Sequence, residues 1–191
     1  MKKKTAILCI LLLCMFLTGC AGRELEDRKF PTVVTFPDEK PWELQEKRQK
    51  SSSKFLDYGQ VKAIVLEDTA AQNPERLEEI LKYLAETPAF ARNLLVFQGD
   101  EAILAVFGKE LEDQSARAGE KESEKETDEA EEADGTYLED LYKNQPKEYE
   151  MSPVTLKELL NSYYNEEAGV KIPTLAVRDG KIQTDAYFPE D

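Results

Sequence analysis

The chain has 191 residues, with 39 acidic side chains against 25 basic ones, no histidine and a formal charge of −14. A surface of that sign repels phosphate backbones and anionic head groups, which excludes nucleic acid as a partner. Without histidine the commonest metal ligand and the usual proton carrier near neutral pH are missing, and no histidine-dependent catalytic triad can form.

The chain opens on MKKKTAILCILLLCMFLTGC, three lysines followed by an apolar block from Ala6 to Leu17. That block is shorter than the roughly 20 apolar residues a membrane-crossing helix needs, and it has the layout of a secretory signal. Leu17, Thr18 and Gly19 run directly into Cys20 and resemble the lipobox of bacterial lipoproteins. The resemblance implies that residues 1–19 are a leader, and that Cys20 becomes the diacylglyceryl-modified first residue of an extracytoplasmic protein. Export would leave 172 residues with a formal charge of −17. The other cysteines, Cys9 and Cys14, lie in the leader, so no disulfide is expected and the fold must rest on its apolar core. Each buried methylene of the anchor contributes about 0.8 kcal/mol, and two acyl chains hold a protein far more firmly than one.

After a charged segment, KFPTVVTF suits a short strand near 30–36. DEKPWELQEKRQKSSSKF is polar and reads as a loop or mobile insertion, with Trp42 pinning it to the body. A buried strand is expected near 58–66, where Val61, Ala63 and Val65 alternate with Lys62, Ile64 and Leu66. Asn73 is a good N-cap, Pro74 suits the first helical position, and Leu77, Ile80, Leu81 and Leu84 form a stripe, which predicts a helix over 74–86. NLLVFQ predicts a second buried strand over 93–98. DEAILAVFG reads as a short helix with Asp100 as its cap.

From Glu110 to Asp134 there are 12 acidic and 3 basic residues and almost no large apolar side chain. Such a stretch cannot offset the entropy of ordering, so 109–134 is expected to be an acidic flexible insertion. It lacks the spacing of a calcium-binding loop. One or two helical turns are expected around Tyr137, Leu138, Leu141 and Tyr142. A firmer helix is expected over 155–165, capped by Ser152 or Thr155, with Tyr163 and Tyr164 packing on the core. Strands near 172–178 and 181–188 are joined at Asp179-Gly180, a strong two-residue hairpin signal.

The phosphate-binding, dinucleotide-binding, nucleophile-elbow and paired-cysteine motifs are all missing, and no pair of carboxylates stands out as a catalytic dyad. The expectation is therefore a protein that is not an enzyme and carries no metal or cofactor beyond the covalent diacylglycerol at Cys20.

Several segments, in this order, resemble the Ger(x)C spore germination lipoproteins, the C subunits of nutrient germinant receptors. They are the lipobox followed by RELED from Arg23 to Asp27, an apolar strand, VKAIVLEDTAAQNPERLEEILKYLAETPAFARNLLVFQGDEAILAVF, and TLKELLNSYYNEEAGVKIPTLAVRDGKI. The resemblance is to the first domain only, family members having further domains, and Ala21-Gly22 stands where the family usually has Trp-Asp. It implies a protein on the outer face of the spore's inner membrane that assists nutrient-triggered germination by contacting membrane-embedded receptor subunits. Arg23, Glu24 and Glu26 adjoin the anchor, where charged side chains can meet such a partner or simply form a solvated tether. A solute-binding or envelope-maintenance lipoprotein of vegetative cells is the alternative. The fold expected for residues 20–191 is one α+β domain, a small mixed sheet packed with two or three helices.

Overall fold

Val33–Phe36, Ala63–Glu67 and Leu95–Gly99 carry apolar side chains on both faces, as strands covered on two sides must. In the computed structural model, which describes residues 25–108, 134–144, 153–165, 170–178 and 181–184, they form β2, β4 and β5. With β6 (Thr174–Arg178) and β7 (Lys181–Thr184) they make a five-stranded sheet in the order β2-β4-β5-β6-β7. The first four strands are parallel and β7 runs antiparallel to β6, so the sheet is mixed. Arg178 pairs with Lys181, the register a two-residue hairpin requires. Two shorter strands, β1 (Arg28–Lys29) and β3 (Phe55–Leu56), pair in parallel as a separate ribbon.

Six α-helices occur among the described residues: α1 (Pro41–Ser51), α2 (Asp68–Gln72), α3 (Pro74–Glu86), α4 (Glu101–Gly108), α5 (Gly135–Lys143) and α6 (Leu156–Tyr164). Side-chain caps define most of their starts. Asn73 Oδ1 accepts from the N–H groups of Glu75 and Arg76 at 3.1 and 3.3 Å. Asp100 Oδ1 accepts from Ile103 at 2.9 Å, Asp134 Oδ1 accepts from Thr136 and Tyr137, and Thr155 and Glu158 form a reciprocal capping box.

Alternation along the strands divides the core into two layers. Val34, Phe36, Ile64, Leu66 and Val96 face Leu44 of α1, Ile80, Leu81 and Leu84 of α3, and Leu156, Leu159 and Leu160 of α6. Val33, Ala63, Val65, Phe97, Leu175 and Ile182 face Ile103, Leu104 and Phe107 of α4 and Leu138 of α5. The chain steps across the sheet in one direction from β2 to β6. Crossovers of a single hand therefore place α1, α3 and α6 on the same face, as observed. The extra pair α4 and α5 lies within the β5-to-β6 connection and closes the opposite face.

The structure bears out the α+β expectation and its mixed sheet, and it adds detail the sequence did not disclose. The largest difference is α1, which occupies a segment expected to be a loop. It buries only Pro41 and Leu44, so no apolar stripe announced it. The strand expected near 58 begins at Ala63, because Asp57 caps a 3-10 turn over Tyr58–Gln60. The strand expected near 30 begins at Val33, after exposed Phe30 and after Pro31, which has no N–H to donate. The leader with its lipobox residues Leu17, Thr18 and Gly19, the anchor Cys20, Arg23, Glu24, all but the end of the acidic insertion, and positions 185–188 of the last strand lie outside the described residues.

Candidate functional site

The residues nearest the expected anchor form one end of the molecule. Glu26 and Asp27 are exposed in a 3-10 turn, Leu25–Asp27, that leads directly into β1. The β1–β3 ribbon is locked by Arg28, whose guanidinium donates to Asp57 Oδ2 at 2.8 Å, and by the Asp57 N–H, which donates to the Lys29 carbonyl. The Gly59 N–H and then Arg28 hold the Asp57 carboxyl below the usual aspartate range. Leu56 of the ribbon is buried, while Phe55 beside it and Phe30 just after β1 are 40% and 37% exposed. Each of these phenylalanines follows a lysine, Lys54 or Lys29.

The carboxyl ends of the parallel strands form the other end, and they are acidic. Asp38 follows β2, Glu67 and Asp68 close β4 and open α2, and Asp100 follows β5. The Asp38 N–H donates to Glu67 Oε2 at 2.7 Å, and Arg76 bridges Asp38 (Nε to Oδ1, 2.8 Å) and Glu79. Burial first, then the negative charges of Asp100 and Glu67, raises the Asp68 carboxyl above its ordinary value. Open parallel sheets bind ligands at this edge where the strand order reverses direction. Among the described strands the order runs one way, without a reversal of that kind. Among the described residues no group of three or more Cys, Asp or Glu side chains is arranged to hold a metal ion.

Between α1 and the sheet lies a polar cluster that sequence reasoning missed. Arg48 Nη2 donates to both the carbonyl oxygen and Oγ1 of Thr35, at 2.8 and 2.7 Å, and so covers the outer edge of β2. The Tyr58 hydroxyl donates to Gln45 Oε1 in the same cluster. Burial pushes the Tyr58 phenol up to about 12 and lowers Arg48 to about 10, which leaves the guanidinium charged at neutral pH. The sequence signal was present but weak: Pro41 at the first helical position, then ten residues without glycine or a second proline.

Trp42, expected to pin a loop, is instead 48% exposed on the first turn of α1, with the Lys40 ammonium 6.0 Å from its ring centre. Tyr163 packs on the core as expected, whereas Tyr164 projects into solvent. The outer face of α1 carries an open depression lined by Glu43, Glu46, Lys47, Lys50 and Ser51, all exposed. No described helix is long and apolar enough to cross a membrane. Compared with protein-family models, curated proteins and solved structures, the chain matches none.

Proposed function

We propose that this is a lipid-anchored extracytoplasmic protein of the Ger(x)C type, acting in nutrient-triggered spore germination through protein–protein contact and without chemistry of its own. The observation that carries the reading is the unit β4–α2–α3–β5. It falls on the segment whose sequence resembles the family's first domain, and it has the strand–helix–strand order that the resemblance implies. The position of the fold relative to the anchor is consistent with it, because the first described turn begins five residues after Cys20. Acylated Cys20 holds the domain on the spore's inner membrane, and the surfaces beyond the tether meet membrane-embedded receptor subunits. Glu26, close to the tether, is exposed and available to such a partner.

Spores lacking the gene test the reading. Slower germination with nutrients, together with an unchanged response to a non-nutrient trigger, is the expected result. Normal nutrient germination combined with an envelope or uptake defect during growth would replace it with the vegetative lipoprotein alternative.

A further inference from the structure

We infer that the β1–β3 ribbon is the surface this protein lays against the bilayer that holds its anchor, with Phe30 and Phe55 entering the head-group region. The inference rests on the reading of Cys20 as the lipid-bearing residue.

Two observations carry it. The first is reach. Four residues separate Cys20 from Leu25, where the first described turn begins, and five extended Cα-to-Cα steps span about 17 Å. This is close to the radius of a small domain, so an anchored chain keeps its ribbon end next to the lipid and cannot present the far end of the sheet to it.

The second is side-chain placement. Phe55 pairs with Arg28 on one side of the ribbon, Leu56 pairs with Lys29 on the other, and Phe30 follows directly after β1. The opposite side carries Leu56, which is 3% exposed and turned into the body of the protein. Two exposed phenylalanines at this end give it an apolar surface of the kind that enters a membrane–water interface.

The chain contains one tryptophan, Trp42, at the start of α1 and about 15 Å along the helix from the residues leading to β3, which makes it a built-in reference. The experiment uses the full lipidated protein in vesicles of phosphatidylethanolamine and phosphatidylglycerol. The parent protein is compared with the double variant Trp42→Phe/Phe55→Trp. Emission from tryptophan at position 55 should shift to the blue, be quenched several-fold more strongly by nitroxide-labelled lipid than Trp42, and be shielded from acrylamide. Equal acrylamide access at the two positions without lipid quenching, in protein whose Cys20 carries lipid by mass spectrometry, would overturn the inference and leave the anchor intact. Shielding that appears in native spore membranes but not in pure lipid would also overturn it, and would assign the ribbon to a protein partner. Protein with unmodified Cys20 that fails to bind vesicles would sink the anchor reading on which the inference stands.

Discussion

Replacing Gly135 with alanine isolates one contact that fixes α5 to the sheet. Gly135 is buried at the first position of α5, and its N–H donates to Thr32 Oγ1 at 2.9 Å. A Cβ there would stand 2.7 Å from the Thr32 carbonyl oxygen and 3.0 Å from the Cβ atoms of Thr32 and Lys62, all on or beside the rigid sheet. Relieving that overlap means lifting the start of α5, which strains the Gly135–Thr32 bond and loosens Leu138 and the Phe97–Tyr142 ring stack beneath the helix. Overpacking costs about 1–3 kcal/mol and a strained hydrogen bond about 1 kcal/mol, offset by less than about 1 kcal/mol of helix propensity at a first-turn position. The net expectation is a loss of about 1–3 kcal/mol, or a fall of roughly 1 M in the urea midpoint. Equilibrium unfolding of the Cys20→Ala protein checks this, with hydrogen exchange of the α5 amides locating the loss. Gly108→Ala is the control, since a Cβ at the end of α4 meets nothing within 4 Å, and it should be neutral or mildly stabilising. A Gly135→Ala protein as stable as its parent would refute the close approach as the reason for glycine.

Three further outcomes follow from the buried polar groups. Arg48→Ala removes the donor that serves both oxygens of buried Thr35, and should lower stability by about 2–3 kcal/mol in urea unfolding; a loss under about 0.5 kcal/mol would mean that water replaces the guanidinium without penalty. Tyr58 keeps its proton in the fold up to about 12 but releases it near 10 in the unfolded chain, so the stability it contributes is present below pH 10 and is lost as pH rises from 10 towards 12. Tyr58→Phe should flatten that decline, and an unchanged alkaline unfolding curve would count against it. Asp68 has the opposite chemistry and the same sign, because its raised pKa makes the native state hold a proton longer than the unfolded chain, so stability falls as pH climbs just above the ordinary aspartate value. Asp68→Asn should therefore gain stability relative to the parent at neutral pH but not in acid; a gain of equal size at both would show that charge is not the cause.

How far the sequence disclosed this molecule depends on how each element is held. Helix α3 was legible to the residue because its signals are local: an Asn73 cap, Pro74 at the start, an apolar stripe, and Pro88 beyond the end. The β6–β7 hairpin and helix α6, with Thr155 as one of the two caps its sequence offered, were legible for the same reason. Helix α1 was not, since what holds it is Leu44 under the sheet edge together with Arg48 on Thr35, partners that only the tertiary fold supplies. The ribbon was equally hidden, because two-residue strands carry no periodicity and the Arg28–Phe55 pairing joins residues 27 positions apart. Parallel strand order was likewise invisible, as adjacent buried strands look alike in sequence whichever way they pair. Of the residues expected to contact a partner, Glu26 alone among the described residues could be placed, exposed at the base of the ribbon.

The central claim, a Cys20-tethered germination protein, is tested most directly by following a fluorescently tagged copy through growth and sporulation, with Cys20 intact or changed to Ala. The account predicts signal confined to the forespore membrane and dispersed in Cys20→Ala. Signal around the cell throughout vegetative growth, or membrane signal indifferent to Cys20→Ala, would contradict it.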